Sequence, residues 1–233
     1  MVKAAAICAA LWAAPVDACR LALILAMDVS SSVDAAEDQL QRAGVARALI
    51  DPAVEAAFFI SPDPVSLFVF EWSGRYRQQV LLDWQTITTP EDLFRAAQAI
   101  GRSARMGDDF PTAMGYALGY ASTQFARVPD CESRTIDLAG DGVNNEGFGP
   151  ASAYAAFPFD GVTVNGLVVQ TTDDEDAITL PAYFRSEVIR GPGAFTEIAN
   201  GFADYENAMR RKLLRELTSM MLGGAPQSMA PKG

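Results

Sequence analysis

A chain of 233 residues, 50% hydrophobic and 20% charged, has enough apolar material to bury the core of one domain, which excludes a disordered chain. A net charge of −11 argues against DNA or RNA as a partner, because phosphate binding needs clustered Lys and Arg. There is no histidine, which rules out His-based general-base catalysis, Ser-His-Asp and Cys-His triads, and His-ligated zinc.

Met1-Val2-Lys3 leads into an apolar stretch from Ala4 to Ala14, and Val16-Asp17-Ala18 then precedes Cys19. That pattern predicts a signal peptide over residues 1–18, cleaved before Cys19, with an apolar run too short to span a bilayer. A buried N-terminal strand or helix and a lipidated Cys19 are the competing readings. Leu21 to Met27 is unbroken apolar sequence, as in a central strand covered on both faces. Asp34 with Glu37 three residues on is a capping box, opening a helix that runs to about Ile50. Val65 to Glu71 and Gln78 to Trp84, joined through Ser73-Gly74, predict a hairpin.

Helices are expected near Glu91–Ile100 and Pro111–Phe125, the second with Pro111 in its first turn. Arg134 to Ala139 predicts a second buried strand running into Gly140-Asp141-Gly142, and Val162 to Val169 a third. Phe195, Ile198, Phe202, Tyr205, Met209, Leu213 and Leu217 keep close to helical period. They predict one long final helix packed on the sheet, with a partner-binding face as the other reading. Residues 223–233 are expected to form a disordered tail. The alternation of strands and helices predicts an α/β domain over 19–222. It is doubly wound, with a mostly parallel sheet, helices on both faces and an antiparallel edge hairpin.

In an open α/β sheet, ligands bind at the carboxyl ends of the strands. Two predicted strands end there in aspartates: Asp28-Val29-Ser30-Ser31-Ser32 and Gly140-Asp141-Gly142-Val143-Asn144-Asn145. Between them in sequence lies Gly107-Asp108-Asp109-Phe110-Pro111-Thr112. A spacing of two puts Asp28, Ser30 and Ser32 on one side of an extended loop. Carboxylates and hydroxyls then converge from three loops, a donor set suited to a hard divalent cation. Asp108 and Asp109 either support that site or act as a helix cap and a solvated acid. Asp173-Asp174-Glu175-Asp176 lacks the alternating spacing and glycine of an EF-hand and is expected to be a solvated loop.

On these residues the chain resembles the von Willebrand factor A-type domain, the integrin I-domain fold. The metal-ion-dependent adhesion site (MIDAS) of that family is an Asp-x-Ser-x-Ser, then a Thr, then an Asp-Gly. The resemblance implies that Ser30, Ser32 and Thr112 supply hydroxyl ligands and Asp28 and Asp141 the carboxylates, bound directly or through water. Glu71-Trp72-Ser73 and Gly140-Asp141-Gly142-Val143-Asn144-Asn145 further resemble an exported bacterial branch of the family. Gly140 departs from the Ser or Thr that usually precedes the Asp.

The function implied is an exported binding module that engages an acidic group of a protein or peptide through Mg2+, or through Mn2+ or Ca2+, without catalysis. A Mg2+-dependent phosphohydrolase with Asp28 as nucleophile is the alternative. It is weakened by Ser30 at the second acid position of the Asp-x-Asp pattern and by the absence of any lysine between Lys3 and Lys212. Export would leave Cys19 and Cys131 in an oxidising compartment. Cys19 lies nine residues before Asp28 and Cys131 ten before Asp141. If those aspartates end neighbouring parallel strands, the cysteines begin them at nearly one height, within disulfide reach. A Cys19–Cys131 bridge is therefore expected, with two free thiols as the alternative.

Overall fold

The computed structural model describes residues 19–105, 107, 110–128, 130–171 and 179–223. The expected signal peptide, Asp108, Asp109, the acidic run 173–176 and residues 224–233 of the expected tail lie outside them. Six strands form one sheet: β1 (Cys19–Asp28), β2 (Val65–Trp72), β3 (Gln78–Ile87), β4 (Cys131–Gly140), β5 (Val162–Gln170) and β6 (Thr196–Asn200). Their spatial order is β3-β2-β1-β4-β5-β6, and every adjacent pair is parallel except β2–β3. This is a doubly wound order, and its direction reverses between β1 and β4.

Position in the sheet explains composition. β1 is central, has a layer on each face, and buries all ten of its residues. Leu21, Leu23 and Leu25 point into one apolar layer, while Ala22, Ile24 and Ala26 point into the other. The first layer is closed by α1 (Ala35–Leu49), α2 (Pro52–Phe58), α3 (Pro90–Gly101) and α7 (Tyr205–Gly223). The second is closed by α4 (Met114–Gln124), α5 (Pro150–Ala156), the short α6 (Thr179–Tyr183) and a π-turn over Phe184–Val188. α1 begins at the expected capping box: Ala36 and Glu37 amides donate to Asp34 Oδ1, and the Asp34 amide donates to Glu37 Oε2.

Cys19 pairs with Cys131 in the β1–β4 register, and the two form a disulfide with Cα atoms 4.4 Å apart. Three expectations are corrected. The helical period from Phe195 begins in a strand: Ile198 lies in β6, which pairs with Gly166–Gln170, and α7 starts only at Tyr205. Gly201, at φ +74°, turns the chain between them, so the periodic match across it is coincidental. α4 begins at Met114, leaving Pro111 and Thr112 in a loop that crosses the strand ends. β3 runs on to Ile87, and the helices α2 and α5, too short to show a period, were not anticipated.

Candidate metal centre

The reversal of strand order leaves a crevice at the carboxyl ends of β1 and β4, where Asp28 and Gly140 stand side by side. All five expected ligands meet there. The buried Asp28 carboxylate accepts the Ser30 amide at 2.8 Å through Oδ1. Thr112 Oγ1 donates to Ser30 Oγ at 3.2 Å, and the Ser30 and Ser32 hydroxyls lie 3.3 Å apart. Ser32 Oγ donates to Asp141 Oδ1 at 2.7 Å. Three loops far apart in sequence thus close into one chain of oxygens.

Asp28 Oδ2 is buried with no hydrogen-bond partner among the described residues. Burial, and after it the nearby Asp141 charge, pushes the Asp28 carboxyl up to about 8. An orphaned carboxylate oxygen beside a second carboxylate suits a divalent cation, which would offset both the desolvation and the repulsion. Among the described residues no cluster of three or more His, Cys, Asp or Glu is placed to hold a metal. The donor set at this crevice is different in kind: two carboxylates completed by three hydroxyls, all hard oxygen ligands. Beside it opens a hollow of about 300 Å3, lined among others by Ser32, Thr112, Asp141, Val143 and Leu180. Ser32 is exposed, so an outside ligand has access.

Several residues that sequence reasoning gave no role hold these loops. Asn145 Oδ1 accepts the Thr112 amide at 2.8 Å, and the Asn145 and Glu146 amides donate back to the Thr112 carbonyl. Asn144 Oδ1 accepts the Gly115 amide at 3.3 Å at the start of α4, whose N-cap Ala113 has no capping side chain. Arg105 donates to the carbonyls of Val29, Val33 and Asp34, bracing the first loop. Gln41 Nε2 donates to the Asp28 carbonyl at 2.8 Å. Below, Arg42 is ion-paired with Asp38 and with Glu71, both buried. A charged residue at 71 in an apolar strand was the available signal, since a buried carboxylate needs a cationic partner.

Gly140 also finds its reason here. A Cβ at that position would lie 3.2 Å from Asp28 Oδ2 and 3.4 Å from the Phe184 ring, so the glycine leaves room for both.

The fold is shared with solved structures. A von Willebrand factor type A protein from Catenulispora acidiphila matches with TM-score 0.61 and 18% identity, over 86% of this chain and 43% of that one. Proximal thread matrix protein 1 from the mussel byssus, solved with a zinc-occupied MIDAS motif, matches with TM-score 0.58 and 19% identity, over 86% and 48%. The pilus adhesin SpaC from Lactobacillus rhamnosus GG matches with TM-score 0.59 and 13% identity, over 88% and 31%. The chain therefore spans less than half the length of each of these proteins, and its fold is that of the von Willebrand factor A-type domain. No curated protein matches it in sequence. A family description does match, over residues 18–221, and by that match the chain belongs to the family described as Protein of unknown function (DUF1194).

Proposed function

We propose that the chain is an exported, non-catalytic module that binds an acidic group of a partner protein or peptide through a divalent cation. Asp28, Ser30, Ser32, Thr112 and Asp141 hold that cation, with Mg2+ first and Mn2+ or Ca2+ as alternatives. The observation that carries this reading is the closed chain of five oxygen-bearing side chains from three loops, open on one side to a hollow. Mg2+ takes about six oxygens in an octahedron, so such a set leaves a position for an outside carboxylate. The net charge of −11 repels acidic ligands at long range, and the cation supplies the attraction locally. The solved relative with an occupied MIDAS and the pilus adhesin support an adhesive role. The disulfide, the signal-like residues 1–18 and the lack, among the described residues, of a helix long and apolar enough to cross a membrane support export without a helical span.

The phosphohydrolase alternative loses further ground. Lys212, the lysine it would recruit, is fully buried and ion-paired with Asp137 and Glu216 on the other side of β4. No turnover of p-nitrophenyl phosphate is expected with Mg2+. Turnover that disappears in Asp28→Asn would reverse the assignment.

The ligand set is tested by Ser32→Ala and Thr112→Val. Even residues outside a metal's immediate ligands change affinity about 10–100-fold, so each substitution is expected to weaken Mg2+ or Mn2+ binding at least tenfold by calorimetry. Ser32 is an exposed loop residue, and Ser32→Ala should leave stability within about 1 kcal/mol. Unchanged affinity in both variants would remove these hydroxyls from the site.

A further inference from the structure

The sheet face beneath α1, α3 and α7 is apolar across β1 and β2, where Leu21, Leu23, Leu25, Val65, Leu67 and Val69 point into it. On β4 and β5 the same face changes character. Ala139 and Leu167 belong to this layer, so alternation places Ser133, Thr135 and Asp137 of β4, and Thr163 and Asn165 of β5, on that side too. α7 answers with Lys212, Arg215 and Glu216. Lys212 Nζ is 2.6 Å from both Asp137 Oδ1 and Glu216 Oε1, and Asn165 Nδ2 donates to Glu216 Oε1 at 2.7 Å. These groups pair with one another, although Asp137 Oδ2 is buried with no hydrogen-bond partner among the described residues.

Their neighbours do not. A cavity of about 440 Å3 opens between β4, β5, α7 and the loop over Gly191–Phe195. It sits in the N-terminal half of the strands, away from the ends that carry the metal loops. Its walls include the hydroxyls of Ser133, Thr135 and Thr163, which make no hydrogen bond among the described residues. They also include Arg215, which has no acidic partner among those residues. The Arg215 guanidinium lies 3.8 Å over the Phe195 ring, a stack that orients its planar fork. The Phe195 backbone is held as well, because Asn165 Oδ1 accepts the Phe195 amide at 3.0 Å.

Ser133 and Thr163 are half-buried and Thr135 is buried, and the Lys212 cluster uses none of their three hydroxyls. We propose that this cavity is a second binding site, for a small hydroxylated carboxylate such as a hydroxy acid or sugar acid. The carboxylate pairs with Arg215, and the ligand's hydroxyls bond to Ser133, Thr135 and Thr163. The volume lies within the range of about 300–1,000 Å3 typical of small-molecule sites. A monoanion fits better than a phosphate dianion, because Glu216 and Asp137 stand beside the cavity in a chain of net charge −11.

The site is independent of the metal centre, so the test is run in chelator on the full chain. Glycerate, gluconate and glucuronate, each a hydroxylated monoanion, are titrated by calorimetry, with uncharged glucitol and inorganic phosphate as controls. At least one of the three acids is expected to bind saturably, with glucitol and phosphate at least tenfold weaker. Arg215→Gln, an exposed position, should weaken that binding tenfold or more, and the near-isosteric Thr163→Val should weaken it severalfold. The proposal is overturned if none of the acids binds, if both variants bind like the wild type, or if glucitol or phosphate binds as tightly as the acid.

Discussion

Replacing Cys19 and Cys131 together by alanine is expected to lower the unfolding free energy by about 4 kcal/mol. The bridge joins positions 112 residues apart, so it removes a long open loop from the unfolded chain. Both cysteines are buried at paired positions of two adjacent, central parallel strands. For a domain of this size the loss corresponds to a fall of roughly 8–16 °C in melting temperature. Urea unfolding of oxidised wild type, reduced wild type and the double variant measures it. The reduced protein should follow the variant. A loss below about 1 kcal/mol would mean that the sheet registers these strands without covalent help.

Lys212→Met is expected to cost about 3–5 kcal/mol near pH 8, because it leaves Asp137 and Glu216 buried together without their cation. Burial, and then the Glu216 charge, already holds the Asp137 carboxyl well above the usual carboxylate range, and Lys212 opposes that shift. Removing the lysine raises it further. A carboxyl with a raised folded-state value binds its proton more tightly folded than unfolded. Its contribution to stability is therefore complete below the ordinary carboxylate range and is lost as pH rises through the folded value. The deficit of Lys212→Met against wild type should accordingly be smaller at pH 5 than at pH 8. Adding Glu216→Gln should recover part of the loss at pH 8. Chemical denaturation at both pH values decides this, and a deficit independent of pH would reduce Lys212 to a packing role.

What could be read in the residues follows the range of the interactions. β1, the capping box of α1, the hairpin and the Cys19–Cys131 pairing are local patterns or simple consequences of strand height, and the structure contains each of them. The residues Asp28, Ser30, Ser32, Thr112 and Asp141 were nameable because each loop carries its own short motif, and the fold brings all three loops together. β6 was hidden because Ile198 continues the period of the helix that follows, and only its pairing with β5 makes it a strand. Arg105, Asn144 and Asn145 act on backbone groups of loops remote in sequence, which leave no periodic trace. The Arg42–Glu71 pair and the Lys212 cluster are likewise contacts between elements, visible beforehand only as charges in apolar company.

The account rests on a cation held between Asp28 and Asp141, and thermal melting with and without Mg2+, Mn2+ or Ca2+ tests it most directly. A cation bound only by the folded protein, at one hundred times its dissociation constant, stabilises it by about 2.7 kcal/mol. That predicts a rise of roughly 5–10 °C for the wild type. Asp141→Asn should lose the rise, while its metal-free form, relieved of carboxylate repulsion, should melt no lower than the metal-free wild type. A wild type whose melting is indifferent to millimolar concentrations of all three cations would contradict the assignment.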